Sequence, residues 1–144
     1  EMLKQQEKEV AVQQSLLDDI LKTLPALSHS QKIQNRVGKA GFDWPDISGI
    51  YDKVQEEIAE LQEAQISDER RAGLGDLLFV VVNLARRYGV EAESALREAN
   101  HRFEQRFRIV ELLARQRKLD FSQMSLSEMN ELWEESKETL AKVA

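Results

Sequence analysis

The chain has no cysteine, only two prolines, two histidines and six glycines among its 144 residues, and aromatic side chains make up 6% of it. Without cysteine there is neither a disulfide framework nor a thiolate metal site. His29 and His101 stand far apart with no metal-type companion, so zinc lacks its usual nitrogen ligands. The shortage of Pro and Gly removes the main interrupters of helices. No apolar run approaches the ~20 residues needed to span a bilayer, and the opening EMLKQQEKEV is too charged for a signal peptide. No Gly-rich phosphate loop, Ser–His–Asp set or Cys–His pair is present. A net charge of -6 argues against general nucleic-acid binding. These absences lead to the expectation of a cytoplasmic protein without membrane or nucleic-acid partners. Because the chain opens on Glu1 rather than Met, a fragment or trimmed form of a longer protein is expected.

What is present favours helix. The chain is 42% hydrophobic and 32% charged, rich in Glu, Lys, Arg, Leu and Ala. The reading is a single all-α domain over residues 1–144, with N-terminal helices and a connection in 1–46 and a helical core in 47–144. A first helix is expected over Glu1–Lys22, with Leu16, Leu17 and Ile20 as its apolar patch. A second would open at Pro25, with Thr23 as candidate cap, and end at Gly38–Gly41. Phe42–Gly49 reads as a connection. From Ile50 the apolar stripe of Val54, Ile58 and Leu61 predicts a helix, which Ser67 and Asp68 break while capping the next. That next helix, about Glu69–Tyr88, would bury LLFVVVNLA at its middle and stop at Gly89. A strand over that apolar run is rejected, because both flanks are helical and no partner strand is in sight. Another helix is expected over Ala92–Lys118. SLSE, Ser125–Glu128, matches a capping box that starts a last helix through Val143.

Chemistry concentrates on the hairpin between the third and fourth of these helices. Glu57 and Glu60 are three apart and share a face. Counting outward from the turn near Ser67 puts Glu57 level with Asp76, and Glu60 level with position 73. Helix axes ~8–10 Å apart allow carboxylates from both helices to meet between them. Glu56, Glu57, Glu60 and Asp76 gathered there would repel one another without a counter-charge, and hard oxygen ligands suit Mg²⁺ or Mn²⁺. Such a cation equips a site for attack on a phosphoanhydride. Position 73 is glycine and offers no ligand; its plain structural reading is close approach of the two helices. The bland alternative for EExxE is a solvated face, but a carboxylate at Asp76 opening LLFVVV requires a reason to be there.

A basic counterpart follows. Asp52–Glu69 carries seven acids and one lysine, whereas His101–Lys118 carries six Lys or Arg and two Glu. Arg102 and Arg106 are four apart and can grip phosphate oxygens bidentately, or pair with Glu98, Glu104 or the acidic helix. Trp133 and Lys137, also four apart, can meet a base and a phosphate; the plain reading of Trp133 is packing of the last helix. Asn83 within VVVNLA must find hydrogen-bond partners in the protein or a ligand.

In these segments the chain resembles the MazG nucleoside triphosphate pyrophosphohydrolases. The resemblance runs through LLDDILKTLPAL and QKIQNRVGKAGFDWPD (Leu16–Asp46), KVQEEIAEL (Lys53–Leu61), LGDLLFVVVNLAR (Leu74–Arg86), ALREANHRFEQRF (Ala95–Phe107) and MNELWEESK (Met129–Lys137). It implies an all-α helical bundle acting as a homodimer that, with Mg²⁺, converts a nucleoside triphosphate and water to the monophosphate and diphosphate. By the same resemblance Glu57, Glu60 and Asp76 are metal ligands and Glu56 is a further acid of the site, with Glu56 or Glu57 orienting water. Arg102, Arg106, Trp133 and Lys137 would hold the nucleotide with help from Asn83, and Lys53 belongs to the matched motif. Two departures stand out: the family's Glu-x-x-Asp reads Gly73-Leu74-Gly75-Asp76, and Arg102 replaces the usual Lys. The first predicts weakened turnover. It keeps open two rival readings, a nucleotide-binding module without turnover and a structural helical dimerisation domain.

Overall fold

The structure is a computed structural model and describes residues 15–143. Among the described residues it holds five α-helices and no strand: α1 Ala26–Lys39, α2 Ile47–Glu63, α3 Ser67–Arg87, α4 Ala92–Gln116 and α5 Leu126–Val143, with a 3₁₀ turn at Phe121–Gln123 before α5. The chain divides into two compact units between Glu93 and Ser94.

In the first unit α3 packs against both α2 and α1, with Ile50, Val80 and Val82 buried. Most of the expected first helix, residues 1–14, lies outside the described residues. Its remainder, Ser15–Lys22, forms turns rather than helix. Ser15 and Asp18 explain this locally: the Ser15 amide donates to the Asp18 carboxylate at 2.9 Å and the Leu17 amide to the Ser15 hydroxyl at 3.2 Å, side-chain bonds that compete with a helical ladder. Pro25 flanks α1 as its N-cap residue and the Pro25 carbonyl accepts the first helical bond from His29, so Thr23 is not the cap. The connection is shorter than expected, because Asp46 caps α2 by accepting from the Ser48 and Gly49 amides and brings Ile47–Gly49 into the helix.

Ser67 and Asp68 do not cap α3. Both lie inside its first turn, Ile66 is the flanking residue, and the Glu69 carboxylate accepts from the Gln65 amide at 3.3 Å instead. LLFVVVNLA is helical, but its burial is partial: Val80 and Val82 are buried, whereas Leu78, Phe79 and Val81 are 46–57% exposed. Gly89 ends α3 at φ +69°, and the Gly89 and Val90 amides donate back to Arg86 and Ala85 as a Schellman ending requires.

In the second unit Val110, Ala114 and Leu132 form the core, with Leu113, Phe121, Met124 and Trp133 packed against it. The helix expected to Lys118 stops at Gln116; Lys118 takes a left-handed φ of 56° while the Leu119 amide donates to Ala114 at 2.8 Å. The capping box forms as read. The Glu128 amide donates to the Ser125 hydroxyl at 3.1 Å and the Ser125 amide to the Glu128 carboxylate at 3.3 Å.

Candidate functional site

The α2–α3 hairpin carries the acidic residues, and its packing is set by a small residue. A Cβ placed on Gly73 would lie 3.3 Å from Leu61 Cδ1 and 3.9 Å from the Leu61 Cα, so the two helices approach closely there. The atoms nearest position 73 all belong to Leu61, the residue after Glu60 on α2.

Of the four acids, one is withdrawn from water. Glu57 is 5% exposed, whereas Glu56, Glu60 and Asp76 are exposed. Lys53, one turn earlier on α2, sets its ammonium 3.2 Å from Glu57 Oε1 and 3.1 Å from Glu56 Oε1. The Glu56 and then the Glu57 carboxylate raise the pKa of that ammonium. Glu57 Oε2 is buried without a hydrogen-bond partner. An unanswered carboxylate oxygen in a low-dielectric setting is costly, and such groups call for an explanation.

The expected gathering of Glu57, Glu60 and Asp76 is not present as a three-ligand group: among the described residues, no three His, Asp or Glu side chains are placed to hold a metal ion together. Glu57 is buried with Lys53 on one of its oxygens, whereas Glu60 and Asp76 are exposed to solvent, and Gly73 adds no carboxylate beside them. A divalent cation nonetheless fits the chemistry of what is there. Mg²⁺ commonly takes one or two carboxylates, with waters and phosphate oxygens filling its shell, and the bare buried oxygen of Glu57 is a hard donor of that kind.

Further along the same unit lies a cavity of about 370 Å³ between α1, the connection and α3. Phe42, Trp44 and Phe79 give it aromatic walls, while Gln34, Asn83 and Arg86 supply polar edges. Trp44 is held over α2, where a Cβ at Gly49 would meet its ring at 2.8 Å, so only glycine fits beneath it. Asp43 is pinned by Arg86 Nη2 at 2.5 Å and Arg87 at 3.4 Å, and its carboxyl is held below the usual range chiefly by the Arg86 hydrogen bond. Asn83 finds the partner its burial demands in Arg86 Nε, which donates to the Asn83 amide oxygen at 2.8 Å. Gln34, itself buried, donates to the Phe79 carbonyl at 3.1 Å. Asp43 and Trp44 escape a reading that treats Phe42–Gly49 as mere connection, and Gln34 on α1 carries no local signal of its role. The available signal was two aromatics interleaved with acids in a loop, where binding residues concentrate.

The second unit contains the remaining candidates. Arg106 lies 5.9 Å from the centroid of the Trp133 ring, a cation–π distance, and the Phe103 ring packs tilted against the same ring, 42° between planes and 5.2 Å between centroids. Trp133 thus packs as a half-buried aromatic on the core of its own unit. Lys137 pairs with Glu134 at 3.2 Å, and Arg102 is exposed. Glu104 pairs with Arg108 at 3.9 Å rather than with Arg106.

Residues 28–103 match the family model described as phosphoribosyl-ATP pyrophosphohydrolase. The chain is 42% identical over 146 residues to a nucleoside triphosphate pyrophosphohydrolase of Escherichia coli (strain K12), an alignment covering 95% of this chain and 54% of that protein. It is 40% identical over 123 residues to the nucleoside triphosphate pyrophosphohydrolase/pyrophosphatase MazG of Thermotoga maritima, covering 85% of this chain and 48% of the relative. A third relative, the uncharacterized protein YabN of Bacillus subtilis, is 43% identical over 143 residues and is covered over 29% of its length. The chain spans about half the length of the first two.

Proposed function

The chain belongs to the phosphoribosyl-ATP pyrophosphohydrolase family and resembles its MazG-type relatives, and from that membership we propose that it hydrolyses a nucleoside triphosphate between the α and β phosphates, releasing the monophosphate and diphosphate. The observation that carries the reading is Glu57: a buried carboxylate with one bare oxygen, on a hairpin inside the matched segment. Mg²⁺ or Mn²⁺ bound there would polarise phosphate oxygens and make a bound water more acidic.

In this reading Glu57 holds the cation, and Glu60 and Asp76, exposed on the same hairpin, turn toward it as further ligands once it is bound. Exposed Glu56, adjacent to Glu57, orients the attacking water. The aromatic cavity with Asn83 on its edge receives the base and sugar. Arg102, Arg106, Trp133 and Lys137 belong to the nucleotide-holding set of the second unit. The acting species is a homodimer. Its support is the apolar stripe of Leu74, Leu78 and Val81 on α3, spaced at helical intervals and 46–57% exposed.

A second reading, nucleotide binding without turnover, is favoured by Gly73, which removes a carboxylate from the hairpin. One experiment separates the two. A panel of nucleoside triphosphates is assayed for diphosphate and monophosphate with and without Mg²⁺ or Mn²⁺, beside calorimetry on the same samples. Cation-dependent release of both products supports hydrolysis. Binding without product supports the second reading, and neither binding nor product rejects both.

A further inference from the structure

We propose that Lys53 is a resident counter-cation of the acidic site, holding the place at Glu56 and Glu57 that a divalent cation must take over. The inference rests on the cation reading above and adds a competitor built into the chain.

Three observations carry it. Glu57 is buried at 5% exposure, and a buried carboxylate needs a positive partner. Lys53 supplies that partner from one turn away on the same helix, and its ammonium touches two carboxylates at once, at 3.1 and 3.2 Å. The side chain of Lys53 is itself 32% exposed, so its four-carbon stem has solvent into which it can swing. A cation bound by Glu57 would sit within a few ångströms of this ammonium, and like charges at that distance repel strongly where water is partly excluded. Binding of the divalent ion therefore turns Lys53 outward. The displaced ammonium is a point charge suited to a phosphate oxygen, so one residue stabilises the hairpin when the ion is absent and meets the triphosphate when it is present.

The test measures cation binding without nucleotide or turnover. The parent chain and Lys53→Met are titrated with Mn²⁺ and Mg²⁺ by calorimetry and followed by thermal unfolding. Lys53→Met is expected to unfold at a lower temperature in chelator, to bind the ion roughly tenfold more tightly, and to gain more from saturating ion than the parent does. Lys53→Arg, which keeps the positive charge and turns a fork of donors toward the carboxylates, is expected to bind no more tightly than the parent, and it serves if Lys53→Met does not fold. Glu57→Gln in either background is expected to abolish the gain. If the parent binds the ion and Lys53→Met binds it equally or more weakly, the counter-cation role is overturned while the cation site stands. If Lys53→Arg tightens binding, the role is likewise overturned. If neither parent nor variants bind either ion, the cation reading and this inference fall together.

Discussion

Gly73 is the residue on which the chemistry of the hairpin turns. Its missing side chain costs about 1 kcal/mol of helix propensity relative to alanine and withholds a carboxylate from the α2–α3 face. A side chain there meets Leu61 Cδ1 at 3.3 Å, the flexible end of a half-exposed leucine that has room to yield. Gly73→Glu is therefore expected to fold and to raise Mg²⁺-dependent diphosphate release about tenfold or more, the scale associated with a lost group of a metal site. Gly73→Ala separates the causes: it restores helix propensity without a ligand, so it should raise thermal stability slightly and leave release unchanged. Equal rates for Glu and Ala at position 73 would remove the hairpin from the metal assignment.

Among the elements, the connection between α1 and α2 has more structure than its sequence suggests. Asp43 ties it to the last turn of α3 through Arg86 and Arg87 and so shapes the wall of the aromatic cavity. Asp43→Asn is expected to cost about 1–2 kcal/mol in urea unfolding at neutral pH, the range of a charged hydrogen bond discounted for partial exposure. The Arg86 bond lowers the folded-state pKa of Asp43 below its ordinary 3.8. The stabilisation is therefore fully present above that ordinary value and is lost as pH falls through the folded one. The parent and Asp43→Asn curves should converge below about pH 4. A gap that does not narrow at all as the pH falls below about 4 would mean that packing, not charge, holds the connection.

On the scale of the whole molecule, the proposed homodimer is tested at the exposed apolar surface of α3. Leu74, Leu78 and Val81 lie on one stripe of a helix whose other faces meet α1 and α2. Sedimentation of the parent chain is expected to give twice the chain mass at micromolar concentration, and Leu78→Glu to return it to a single copy with its helical signal intact. A parent that sediments as one copy at all concentrations would reject the homodimer. No helix among the described residues is long and apolar enough to cross a membrane, so this stripe is not part of a spanning segment.

The sequence by itself determined the all-helical character, the α2–α3 hairpin with its acidic motif, the Gly89 stop and the Ser125–Glu128 capping box. Each follows from side chains within about four residues of one another, where helical periodicity and backbone hydrogen bonding act directly. Only the tertiary structure decided that Glu57 alone among the four hairpin acids is buried, that Gly73 meets Leu61, that Lys53 answers Glu57, and that Asp43 and Trp44 shape a cavity with α3. Except for the Lys53 pair, these depend on contacts between residues distant in the chain. Even that pair takes its importance from burial, which packing of one helix on another sets and local spacing does not encode.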